Sequence, residues 1–200
     1  MNNTLYIVGF PGLGINIKID PIAFTVGSIK VRWYGIIIAI GFLLSFIYVY
    51  MRAKDFGINR EKLTDIAISC MICGIIGARI YYVIFYPGDF YRLNPVEIFN
   101  IHKGGIAIYG GIIGGAIGGV ILAGLKNVKI LPLLDLLSIG LMIGQSIGRW
   151  GNFFNQEAFG GETSLPWGMT SEGTQNKIVH PCFLYESLWC LVGFLILHVL

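Results

Sequence analysis

The residues best suited to chemistry lie together between Gly140 and Gly161, in the stretch GLMIGQSIGRWGNFFNQEAFGG. An apolar, glycine-spaced run leads into Arg149, and Asn152, Asn155, Gln156 and Glu157 follow within about two helical turns. An arginine at the edge of a hydrocarbon layer loses solvation unless it finds an anion, a carboxylate or carbonyls, so it is read first as part of a functional site. The anion to expect at that depth is a lipid phosphate. A guanidinium holds phosphate through paired donors, and that pairing is worth more in a low-dielectric setting than in water. Metal chemistry is not expected. Cys70 and Cys73 have a C-x-x-C spacing but sit in an apolar run without a second ligand pair, and the three histidines are far apart. Cys182 and Cys190 have no better claim, so the cysteines read as packing residues and no cofactor is called for.

The elements that hold these residues must sit in a membrane. Hydrophobic residues make up 55% of the 200 residues and charged residues 12%, with a mean hydropathy of +0.73, too apolar for an ordinary globular domain of this length. Several runs reach the roughly 20 residues needed to cross about 30 Å of hydrocarbon. The net charge of +3 is small and spread between segments, which gives no support for a nucleic-acid partner. The expected fold class is all-α: a polytopic transmembrane helix bundle forming one integral membrane domain over 1–200. A small amino-terminal interfacial arm and an external head segment between the fourth and fifth spans complete it.

No basic n-region precedes an apolar core at the start, because the first positive charge is Lys18 and Gly9, Pro11, Gly12 and Gly14 break the sequence before it; a cleaved signal peptide is not expected. From Asp20 to Val31, β-branched residues mixed with Pro21 and Gly27 predict an amphipathic or hairpin-like arm that delivers Arg32, Trp33 and Tyr34 to the membrane edge. The first span covers 33–51. An interfacial aromatic belt and a site role account equally well for Trp33 and Tyr34. Arg52, Lys54, Arg60 and Lys62, in the connection that runs to Thr64, form the densest basic cluster; by the positive-inside rule it faces the cytoplasm and leaves the amino terminus outside.

The second span is expected over 65–86, with Arg79 near Tyr81, Tyr82 and Tyr86 at its outer end, either snorkelling to the headgroups or gripping an anionic lipid. Residues 87–103 form an external loop, with a short helix over 96–101 and His102 and Lys103 closing it. The third span, 104–125, carries Gly110, Gly114 and Gly118 on one row and Gly111, Gly115 and Gly119 on the next, a bare stripe that permits close helix contact and also leaves room for a lipid chain. Tyr109 projects from its outer end. Lys126 and Lys129 mark a cytoplasmic turn, 132–148 crosses back outward, and Asp135 reads as a solvated or helix-start carboxylate. Trp150 and Trp167 are interface anchors of the external segment that runs to His180. A fifth span over 181–200 ends inside an apolar run with no charged stop, so more chain is expected beyond Leu200.

In order and spacing, the strings RWYG at 32–35, GGIAIYGG at 104–111, GRWGNFFNQE at 148–157 and HPCFLYE at 180–186 resemble the bacterial prolipoprotein diacylglyceryl transferases, over nearly the whole chain. The GR-x-GNF-x-N-x-E block is the specific part. What the resemblance implies is transfer of a diacylglyceryl group from phosphatidylglycerol to the thiol of the lipobox cysteine in preprolipoprotein signal peptides, on the outer face of the bacterial plasma membrane, with release of glycerol phosphate. It points to Tyr34, Arg149, Asn152 and Gly160 as site residues, with Asn155 and Glu157 in support. Tyr109 takes a position where many members have histidine, so a histidine base there is not assumed. The family also has two further helices and a second essential arginine beyond the position of Leu200.

Such a transfer needs a thiolate, a held phosphodiester and charge compensation as the leaving group departs. Arg149 can supply the last two, and Tyr34, Tyr109, Glu157 and His180 are candidates to take the thiol proton. Two rival classes remain. A small-solute transporter would show repeat symmetry between halves, which is not seen. A noncatalytic membrane assembly subunit would explain the glycine stripes but not the clustering of Arg149, Asn152 and Glu157.

Overall fold

Where water is absent, a chain can satisfy its backbone only within helices or closed barrels, and the charge-free runs here take the first route. The computed structural model describes residues 5–27, 29–100 and 104–199. Two hairpins come first, β1 (Tyr6–Phe10) with β2 (Ile15–Ile19), and β3 (Ile22–Val26) with β4 (Ile29–Arg32). Helices follow: α1 (Trp33–Arg52), α2 (Arg60–Ile84), the short α3 (Phe90–Leu93), α4 (Ile108–Leu125), α5 (Ile130–Asn155) and α6 (Cys182–Val199). Among the described residues, five of these helices, all but α3, are long and apolar enough to cross a membrane. The chain divides into two compact units, one built from residues up to Val49 and from Leu137 onward, the other from Tyr50 to Leu136.

In the first unit the glycines on either side of Arg149 form part of the seat of α1. A methyl group at Gly148 would lie 3.2 Å from Ile38 Cδ1, and one at Gly151 would lie 3.0 Å from Tyr34 Cδ2. Ser45 Oγ donates to the Gly140 carbonyl at 2.6 Å, which locks the same pair of helices deeper in the span. The other flank of α5 meets α6 through small polar groups: Ser146 Oγ donates to the Ser187 carbonyl at 2.9 Å and Ser187 Oγ to the Ser146 carbonyl at 2.8 Å. Hydrogen bonds of this kind hold helices together where apolar contact has no advantage over lipid.

α5 runs to Asn155, past the expected end at 148, because nothing from Arg149 to Asn155 breaks a helix and Phe153 has a core to enter. That core joins Val8, Ile19, Phe153, Met169, Val179 and Phe183. The β1–β2 hairpin belongs to it: Gly9 and Thr170 exchange backbone hydrogen bonds of 2.8 Å, and Met169 and Val179 pair in turn. The external head segment is thus folded together with the amino-terminal hairpin, a long-range pairing that local pattern does not reveal.

In the second unit α2 and α4 lie backbone to backbone. A methyl group at Gly77 would fall onto the Gly110 carbonyl and come within 2.9 Å of Gly114 Cα, so the close approach requires glycine there. Lys126 Nζ pairs with Asp65 Oδ2 at 2.6 Å and Lys62 Nζ donates to the Lys126 carbonyl at 2.7 Å, closing one end of the helix pair.

Two helix starts differ from the sequence reading by four residues or more, while α5 and α6 start within two residues of the expected 132 and 181. α2 begins at Arg60 rather than 65, since Asn59 Oδ1 caps it by accepting from the Glu61 and Lys62 amides at 2.7 and 3.4 Å. Arg60, read as part of a loop, donates to the carbonyls of Tyr50 and Met51 at 2.9 Å each and so caps the end of α1. α4 begins at Ile108 rather than 104, because Gly104 and Gly105 hold φ of 84° and 83°, outside helical space. Over the predicted 96–101 helix, a 3-10 turn covers Pro95–Phe99, while Ile101, His102, Lys103 and Leu200 lie outside the described residues.

Candidate active site

The first unit gathers six of the predicted site residues around the end of α5. Arg149 and Asn152 are three residues apart, as are Asn152 and Asn155, so the three share one helical face. The helix then stops at Gln156, whose φ of 55° is left-handed, and the chain turns back. The reversal carries Glu157 over the face just left: its Oε1 accepts from Asn152 Nδ2 at 2.9 Å and from Asn155 Nδ2 at 3.3 Å. Buried Gln156 fixes the turn, accepting from the Gly173 amide at 3.0 Å. Tyr34 rests its ring on Gly151, between Arg149 and Asn152 in sequence, while its hydroxyl has no partner among the described residues. Trp33, next to it, turns instead to Phe154, with ring centroids 5.6 Å apart.

Gly160 is a close approach of a different kind. Its amide donates to the His180 carbonyl at 2.8 Å, and a methyl group there would lie 2.8 Å from Cys182 Sγ and 3.0 Å from His180 Cβ. Any side chain would push the start of α6 away from the end of α5. Next to it His180 Nδ1 lies 3.2 Å from the Tyr185 hydroxyl, which also accepts from Trp167 Nε1 at 2.7 Å. Trp167, expected as an interface anchor, therefore helps orient a histidine. Trp150 likewise donates inward, to Ser187 Oγ at 3.1 Å. On the surface of the head, the Glu162 carboxylate beside Lys177 holds that ammonium above the usual lysine range, through a direct hydrogen bond of 2.5 Å.

Glu186 is the group that residue-by-residue reading passed over. Its Oε2 lies 2.5 Å from Arg149 Nη2, with the two side chains 46% and 35% exposed. The signal was present, since Glu186 is the lone acid between Pro181 and Leu200 and an acid in an apolar helix needs a partner as much as an arginine does.

Tyr109 and Arg79 belong to the second unit. Tyr109 is 67% exposed at the second position of α4, its ring 6.4 Å from that of Tyr81. Arg79 is 7% exposed and ends on backbone carbonyls rather than at a free surface, contrary to both expectations for it. Its Nε donates to the carbonyl of Ile98, Nη1 to those of Gly104 and Gly105, and Nη2 to those of Glu97 and Asn100, at 2.6–3.1 Å. A guanidinium has five N–H groups, so none is left for a phosphate. Gly105 is needed for this, because any Cβ would meet Arg79 Nη1 and the Tyr82 ring. No group of three or more His, Cys, Asp or Glu able to hold a metal occurs among the described residues.

Fold and site define a multi-pass helical membrane protein with an arginine–amide–carboxylate cluster at the end of a membrane-length helix. The prolipoprotein diacylglyceryl transferase family model matches residues 21–200. A phosphatidylglycerol–prolipoprotein diacylglyceryl transferase of Clostridioides difficile (strain 630) is 44% identical over 178 residues, covering 89% of this chain and 70% of that protein. One of Staphylococcus aureus (strain Newman) is 44% identical over 188 residues, covering 90% of this chain and 67% of that protein. The chain belongs to the prolipoprotein diacylglyceryl transferase family, a family of membrane transferases.

Proposed function

We propose that this protein transfers the diacylglyceryl group of phosphatidylglycerol to the thiol of a lipobox cysteine in preprolipoprotein signal peptides, at the outer face of a bacterial plasma membrane. The observation that carries the reading is the Arg149, Asn152, Asn155 and Glu157 cluster, folded onto one face at the end of α5 in a chain of this family. In the reaction the cysteine thiolate forms a carbon–sulfur bond to the glyceryl carbon. The carbon–oxygen bond to phosphate breaks, and glycerol phosphate leaves with the electron pair. Arg149 binds the phosphodiester and compensates the charge that grows on the leaving oxygen. Asn152 and Asn155 hold Glu157 at the same end of α5, and Gly160 keeps the start of α6 close to the segment that follows α5. Tyr34 offers its hydroxyl to the lipid headgroup. The thiol proton passes to Tyr34, Glu157 or His180.

The test is direct. Purified protein in vesicles of phosphatidylglycerol labelled in its diacylglyceryl group, given a lipobox peptide, should yield a labelled thioether peptide and free glycerol phosphate in equal amounts. A peptide with serine for cysteine should give neither. Failure of the cysteine peptide to become labelled would overturn the reading.

A further inference from the structure

We infer that Glu186 is a positioning residue for Arg149: it fixes one edge of the guanidinium so that the remaining edge faces the phosphodiester. The inference rests on the proposed reaction and adds a residue to it. The Oε2–Nη2 contact of 2.5 Å engages one nitrogen of Arg149, whereas Nε and Nη1 have no partner among the described residues. A guanidinium presents five N–H groups in a rigid plane, so holding one nitrogen sets the direction of the others. The contrast with Arg79 is informative: there every N–H is consumed by a carbonyl and the side chain is buried, while two nitrogens of Arg149 have no partner among the described residues and its side chain is 35% exposed.

The surroundings of Glu186 support an orienting role. It sits on α6 next to Ser187, whose hydroxyl accepts from Trp150 and donates to the Ser146 carbonyl. Trp150 follows Arg149 on α5, so adjacent residues of the two helices are cross-linked twice, once by charge and once by hydrogen bond. This sets the helix register at the level of Arg149, and the ion pair sets the side chain. A freely rotating arginine would spend rotamer entropy each time it bound lipid; a held one has already spent it.

The experiment compares wild type, Glu186→Gln, Glu186→Ala, Arg149→Ala and the Arg149→Ala/Glu186→Gln double variant in vesicles, varying phosphatidylglycerol and lipobox peptide separately. Glutamine keeps an acceptor for Nη2, so Glu186→Gln should lose severalfold in kcat/KM for phosphatidylglycerol. Glu186→Ala, which removes the acceptor, should lose about tenfold or more. The KM for peptide should stay put. Against the residual activity of Arg149→Ala, Glu186→Gln should cost nothing further. Thermal melting of each variant separates unfolding from loss of function. A lower KM for phosphatidylglycerol in Glu186→Gln would overturn the inference, since Glu186 would then be competing with phosphate for Arg149. Wild-type kinetics in Glu186→Ala, or an undiminished effect in the Arg149→Ala background, would overturn it as well. If wild type itself transfers nothing, it is the proposed reaction that fails.

Discussion

At Arg149 the chemistry asked of a side chain separates charge from shape. Lysine would keep the charge but lose the planar pair of donors, so Arg149→Lys should be nearly as damaging as Arg149→Ala. If the contact strengthens as the leaving oxygen gains charge, the loss should fall on kcat, on the order of 10²-fold or more, by analogy with lost transition-state donors. Near wild-type turnover for the lysine variant at saturating phosphatidylglycerol would reduce Arg149 to an anchor. Tyr34 and Trp33 separate in the same way. The Tyr34 hydroxyl has no partner among the described residues and its ring lies on Gly151, whereas Trp33 packs on Phe154. Tyr34→Phe removes one oxygen and leaves that packing, so it should cut transfer severely with insertion intact, while Trp33→Phe should be mild. Equal, small losses in the two would mean a belt of aromatics.

Among the elements, the α2–α4 pair is held by backbone contact, and its glycines should not tolerate side chains. A methyl group at Gly114 would fall onto the Cys73 carbonyl and come within 3.0 Å of Gly77 Cα, whereas one at Gly124 meets nothing within 4 Å. Gly114→Val should therefore cost about 1–3 kcal/mol of stability, as overpacking does. Gly124→Ala should leave thermal unfolding in detergent unchanged or raise it slightly; similar melting of both would show that the helices do not meet as described. The loop after α3 depends on Arg79 in another way. Lysine has three donors where five carbonyls wait, so Arg79→Lys should speed hydrogen exchange across residues 94–100 and leave α2 itself protected. Unchanged exchange would mean that the loop holds itself.

For the whole molecule, we propose an orientation from charge, with Arg52, Lys54, Arg60 and Lys62 in the cytoplasm and the head in the exterior. In a cysteine-free background, a membrane-impermeant thiol reagent should label Glu172→Cys on intact cells and label Lys54→Cys only after the membrane is opened. The reverse pattern would invert the proposed topology. The membrane class, the five apolar runs and the cluster after Gly148 were legible in the sequence, because hydropathy, span length and an expensive arginine are local quantities. The helical extent of α5 could be read in principle too, since nothing from Arg149 to Asn155 breaks it. Tertiary structure alone decided the partners. The pairing of Gly9 with Thr170 joins residues 161 positions apart and builds the amino-terminal hairpin into the head. Arg79 was diverted from the lipid to a ring of carbonyls, and Glu186 was matched to Arg149. Periodicity says which way a side chain points along its own helix, but a charge is satisfied by whatever the fold brings within hydrogen-bond reach, and that is a property of the packed chain.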